Sequence, residues 1–141
     1  MTLLLPIATV NPLNKREHWS KRTARVASER ALAEVWLRHE WGSRPVACLP
    51  APPPLPVRVT LTRLAEKVMD DDGLSASMKG CRDEIALWLG ADDSPGSGIT
   101  WAYAQRKPTA EEASRLPRRL TPKGREAARC GVLVEMEPPR G

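Results

Sequence analysis

Cysteine and histidine are scarce in this chain, and their placement narrows the chemistry. The three cysteines, Cys48, Cys81 and Cys130, are odd in number and have no C-x-x-C spacing. They predict no disulfide framework and read as reduced, small apolar residues of a cytoplasmic protein. The two histidines, His18 and His39, lie far apart in sequence, which argues against a His-based zinc site. No apolar run approaches a membrane span, and the opening MTLLLPIA lacks the basic start of a signal peptide and is too short for one. Internal repeats, glycine-rich phosphate loops and G-x-S-x-G nucleophile settings are also missing.

What is present is charge, unevenly distributed. A chain of 141 residues is expected to form one domain with a single core. Its net charge of +5 suits a polyanionic partner. From Arg63 to Asp93, however, four Lys/Arg face eight Asp/Glu, a balance of −4, so the remainder carries +9. An acidic knot in a basic shell is the arrangement a metal-dependent nuclease needs.

The knot centres on VMDDDGLSASMKGCRDEIALWLGADD, residues 68–93. Asp70, Asp71 and Asp72 open it, and Asp92 and Asp93 close it. Clustered carboxylates resist ionising together, and a divalent cation removes that resistance. If the opening is extended, Asp70 and Asp72 project to one side and suit Mg²⁺, which takes one or two carboxylates and completes its shell with water and phosphate. The competing reading is an acidic N-terminus, with Asp as cap and the helix dipole as the reason. Both stand at this point.

LLLPIATV (3–10) suggests a first strand, confined by Pro6 to an edge or a strand end. In the next stretch Lys15, Arg16, Lys21, Arg22 and Arg25 surround Trp19. Basic residues interleaved with an aromatic suit a nucleic-acid surface, although Trp19 equally suits the core. A helix is predicted from Ala24 to about Trp41, with Arg30, Glu34 and Arg38 as a solvated face. Residues 43–56 form a proline-rich connector. VRVTLTRL (57–64) alternates as a strand, and Leu74, Met78, Cys81, Ile85 and Trp88 then form one helical core stripe. ITWAYAQRK and GVLVEME are two further strands. Residues 108–130 read as an extended basic arm that orders on DNA, with Thr121 and Pro122 starting a short helix.

DDDGL, then Lys79 with Asp83 four residues on, then LGADD, then ITWAYAQ follow one another in an order that resembles the RusA family of Holliday-junction resolvases. Phage-type members carry D-x-D-N-L, a helical Lys and Asp, and G-x-DD in this order. NKREHW near the start is similar as well. The resemblance implies that Asp70, Asp72 and Asp93 are the catalytic, metal-binding aspartates, holding Mg²⁺ or Mn²⁺, and that Lys79 is the functional lysine. Gly73 departs from the family's Asn, and Lys79 lies about one helical turn further past Leu74 than in the type member.

The expected fold is therefore α+β: a mixed, largely antiparallel sheet packed by two helices in a single domain. The expected function is Mg²⁺-dependent resolution of four-way junctions by paired nicks, made by a homodimer in a bacterial or phage-infected cell. DNA contacts are expected at Lys15, Arg16, Lys21, Arg22, Arg118, Arg119 and Lys123. Asp93 is expected to reach Asp70 and Asp72 within one chain. The alternatives are a cleavage-disabled protein that binds junction or duplex DNA, and a metal-stabilised interaction module.

Overall fold

The computed structural model describes residues 2–9, 18–39, 55–91 and 96–139. Four strands form the main sheet: β1 (Thr2–Leu5), β2 (Val57–Leu64), β3 (Ile99–Arg106) and β6 (Gly131–Glu137). Their spatial order is β1-β6-β2-β3. β6 runs antiparallel to both β1 and β2, while β2 and β3 are parallel. A parallel pair needs a crossover, and two helices supply it: α2 (Asp71–Ser77) and α3 (Lys79–Trp88). With α1 (Trp19–Leu37) the expected α+β domain with a mixed, largely antiparallel sheet is observed.

Alternation decides which face is covered. Val57, Val59 and Leu61 share one face with Leu3, Leu5, Val132, Val134 and Ile99, and all are buried. Leu74, Met78, Cys81 and Ile85 of the crossover, with Ala33 and Leu37 of α1, close that core. On the opposite face a smaller cluster of Leu4, Leu64 and Leu133 packs under Leu116. Gly131 lies beneath Leu116, where a Cβ would come within 2.7 Å of the Leu5 carbonyl oxygen.

Three helical expectations change. α1 begins at Trp19 rather than Ala24, because His18 Nδ1 accepts the Ser20 amide proton at 3.3 Å and caps the helix. The expected end of this helix near Trp41 and most of the proline-rich connector lie outside the described residues. The crossover is bent rather than straight: Ser77 Oγ donates to the Leu74 carbonyl at 2.7 Å, and Met78 leaves helical geometry at φ −92°, ψ 3°. Arg30 is only half solvated. It reaches α3, where it pairs with the buried Glu84 at 3.3 Å.

The α1–α3 contact is close. A Cβ on Gly80 would lie 3.0 Å from Glu29 Cβ, so glycine lets the helices approach. Glu29 is buried there and pairs with Arg25 at 3.2 Å. Burial, reinforced by the Glu29 charge, pushes the Cys81 thiol up to about 12.

The expected basic arm is structured. It contains α4 (Ala110–Arg115) and a small hairpin of β4 (Arg119–Leu120) and β5 (Glu126–Ala127). Thr121 and Pro122 open the hairpin turn, not a helix. The Thr121 amide donates to the Arg125 carbonyl at 2.7 Å, and Gly124 takes the left-handed φ of +76° that the turn requires. Leu116 anchors the segment against Leu4 and Leu64, and Arg129 holds the Ala113 carbonyl at 2.7 Å. Burying Leu116 and satisfying these carbonyls hold the segment against the sheet.

Candidate metal and nucleic-acid site at one end of the sheet

Parallel β2 and β3 end together at Leu64 and Arg106, and antiparallel β6 begins beside them at Gly131. One end of the sheet therefore gathers the loop 65–70, the exit of β3 and the root of the hairpin. The carboxyl end of parallel strands is where open α/β sheets commonly bind ligands, because loops diverge there.

Gln105 fixes the loop. Its Oε1 accepts the Met69 amide proton at 2.9 Å, and its Nε2 donates to the Met69 carbonyl at 2.6 Å. Arg63 braces the other side, donating to Thr9 Oγ1 at 3.2 Å and to the Lys67 carbonyl. These bonds present Asp70 as the N-cap of α2, where Oδ1 accepts the Gly73 amide proton at 2.9 Å. The cap uses a backbone donor, so Gly73 supplies it without a side chain. Tyr103, two residues before Gln105 on the same face, accepts a hydrogen bond from Arg82 at 2.9 Å.

The alternation expected for Asp70 and Asp72 does not hold. Asp70 is extended at φ −67°, ψ 164°, whereas Asp71 and Asp72 already form the first helical turn. Capping competes with extension here and prevails, because the first helical amides need acceptors. The capping reading of the run therefore describes its geometry, and the exposed carboxylate oxygens leave the metal reading to the proposal below. Asp70, Asp71 and Asp72 are all exposed. Among the described residues no Lys or Arg forms an ion pair with them.

This donor set fits a hard cation that needs few protein ligands. Asp70 keeps an oxygen outside its cap bond, and Asp72 stands two positions on in the first turn. No group of three His, Cys, Asp or Glu side chains converges on a metal position among the described residues. Asp92 and Asp93 lie outside those residues, as do Lys15, Arg16 and Cys48. Ile99 opens β3 beside Val57, six strand positions (about 20 Å) from the Gln105 that clamps Met69.

Among the described residues Lys79 forms no ion pair with Asp70, Asp71 or Asp72. Its ammonium pairs with Asp83 at 3.1 Å and lines the groove between α1 and α3 with Arg22 and Arg30. Trp19 is 72% exposed and stacks obliquely on His18, so the core reading of this residue fails. Lys21 and Arg22 are exposed on the first turns of α1. Arg118, Arg119 and Lys123 are exposed on or beside the hairpin.

Four contributors escaped the sequence reading: Arg63, Gln105, Arg82 and Arg129. Gln105 shares a face of β3 with Ile99, Trp101 and Tyr103, but its partner Met69 lies 36 residues away. No local pattern announces such a bond.

An uncharacterized protein of Xylella fastidiosa (strain Temecula1 / ATCC 700964) is 34% identical over 93 residues. The match covers 66% of this chain and 59% of that protein, so the chain spans under two thirds of the relative's length. No family model matches the chain, and no solved structure matches it.

Proposed function

We propose that this protein is a RusA-type, Mg²⁺-dependent endonuclease that nicks four-way DNA junctions. The observation that carries the reading is the exposed aspartate run held beyond the carboxyl end of β2, which meets no cation among the described residues. Structural carboxylates in a basic protein normally find cations, as Glu112 and Glu84 do here. Asp70 and Asp72 would hold the ion, with Asp93 as the third ligand implied by the resemblance. Bound there, Mg²⁺ (or Mn²⁺) supplies Lewis acidity at a phosphate oxygen and acidifies a water molecule.

The chain's own contribution is positioning. Gln105 and Arg63 hold the backbone that carries Asp70, so the carboxylates need little reorganisation when DNA arrives. Arg118, Arg119 and Lys123 neutralise phosphates on the hairpin side, and Lys21 and Arg22 do so on the helical side. Lys79, beside Arg22, joins that second set. Contacts to phosphate rather than to base edges suit recognition of junction shape. Paired nicks in opposed strands call for a two-fold homodimer.

Cleavage of a synthetic mobile four-way junction with Mg²⁺, beside a matched linear duplex, tests the reading. Junction-selective nicks are expected. Binding without cleavage of either substrate would favour the disabled DNA-binding alternative. No helix among the described residues is long and apolar enough to cross a membrane.

A further inference from the structure

Behind the loop that presents Asp70 lies a cavity of about 220 Å³. Arg63, Lys67, Arg119 and Arg129 line it, with Glu66 and the thiol of Cys130. Four cations thus face one carboxylate, and Glu66 already lies 3.7 Å from Lys107.

The partners of the three guanidinium groups are mostly neutral. Arg63 donates to Thr9 Oγ1 and the Lys67 carbonyl. Arg119 donates to the Ala128 carbonyl at 3.2 Å and approaches Cys130 Sγ at 2.6 Å. Arg129 donates to the Ala113 and Leu116 carbonyls, and only the exposed Glu126 offers it charge, at 3.8 Å. Carbonyl partners fix a guanidinium's direction without cancelling its charge. Arg63 is also partly withdrawn from water, which lowers its pKa from the ordinary value. Such groups favour an oxyanion with several acceptor oxygens.

The geometry points to a phosphodiester-binding subsite: the Arg63–Lys67–Arg119–Arg129 pocket holds a backbone phosphate of the nucleic acid whose neighbouring phosphate lies at Asp70 and Asp72. This rests on the nucleic-acid reading of the sheet end, though not on cleavage. Lys67 is three residues from Asp70, at most about 11 Å of chain. Arg118, Lys123 and Arg125 are exposed on or beside the hairpin that lines the pocket, and Lys107 pairs with Glu66 of the loop. A basic track of that extent matches a polyanion better than a single small phosphate.

Cys130 provides a readout that needs no catalysis. The full-length protein in metal-free buffer is treated with iodoacetamide, a neutral reagent, and alkylation is followed at each cysteine by peptide mass spectrometry. The probes are a linear duplex, a four-way junction of the same sequences, and inorganic phosphate. Either DNA is expected to slow Cys130 alkylation at least fivefold, with millimolar phosphate having under a twofold effect. Lys67→Gln and Arg119→Gln should each reduce the protection and lower the salt slope of DNA binding by about 0.9. The buried Cys81 should stay unmodified in every variant that folds. DNA binding by fluorescence anisotropy with unchanged Cys130 alkylation would overturn the pocket and leave the nuclease reading standing. Protection by phosphate but not by DNA would also overturn it, in favour of a small phosphorylated ligand. Absence of DNA binding would remove both readings.

Discussion

Two helices begin with acidic first turns, and they use their carboxylates differently. At α4, Thr109 and Glu112 form a capping box: Thr109 Oγ1 accepts the Glu112 amide at 3.2 Å, and Glu112 accepts the Thr109 amide at 2.9 Å. Arg106 then grips Glu112 through both terminal nitrogens, at 2.6 and 2.9 Å. These bonds, the Arg106 contact above all, hold the Glu112 carboxyl down at about 2. At α2, Asp70 makes the cap, but Asp71 and Asp72 meet no described cation. Composition is nearly the same at both starts. Among the described residues α4 leaves only the exposed Glu111 of its first turn without a cation, whereas α2 leaves Asp70, Asp71 and Asp72.

The largest effect should come from Asp72→Asn. Junction nicking is expected to fall at least about a hundredfold, the scale of a few kcal/mol of lost transition-state stabilisation, with DNA binding unchanged or tighter. Glu112→Gln should leave the same assay within twofold. Near-normal nicking by Asp72→Asn would make the two helix starts equivalent, both purely structural.

Next in size is the brace beneath Asp70. Gln105→Ala removes two hydrogen bonds to Met69, and about 1–3 kcal/mol of stability should go with them in urea unfolding. Nicking should fall further than stability predicts, because the aspartates lose their fixed backbone. An activity loss that merely tracks the unfolded fraction would remove the positioning role.

A pH series sharpens the contrast. The folded Glu112 carboxyl, near 2, lies below its ordinary value of 4.5, so its stabilisation is complete above pH 4.5 and disappears as pH falls towards 2. Thermal melts of the wild type should show that loss across this window, and Glu112→Gln should show less of it. Identical pH curves would mean the Arg106 pair adds nothing measurable, as many exposed pairs do.

The smallest effect belongs to Asp71→Asn, which removes one charge from a helix N-terminus. About 0.3–1 kcal/mol of stability is expected to be lost at low salt, fading as salt rises. A gain in stability would show that repulsion within the aspartate run outweighs the dipole.

The period-2 pattern of VRVTLTRL and the spacing of Leu74, Met78, Cys81 and Ile85 were sufficient to identify the strand, the helix and the face each buries. Both signals are local, since alternation and helical spacing follow directly from backbone geometry. The T-x-x-E box at Thr109 was equally legible, but Pro108 concealed it: a proline just before an N-cap does not disturb the helix that follows. Thr121-Pro122 erred the other way. Its cap-like pair closes a hairpin turn instead of a helix, because Gly124 accepts left-handed geometry and the Thr121 amide finds Arg125.

The sequence alone determined the α+β class, the acidic knot within a basic shell and the polar character of the hairpin segment. These depend on residue type and short spacing. Only the tertiary structure decided that β2 and β3 run parallel and that their shared end carries Asp70. Long-range contacts also decided that Gln105 clamps Met69, that Arg30 crosses to Glu84, and that Lys79 turns towards α1. These outcomes join residues tens of positions apart. Which distant donor meets which acceptor is settled when the core closes, since each buried polar group must then find a partner.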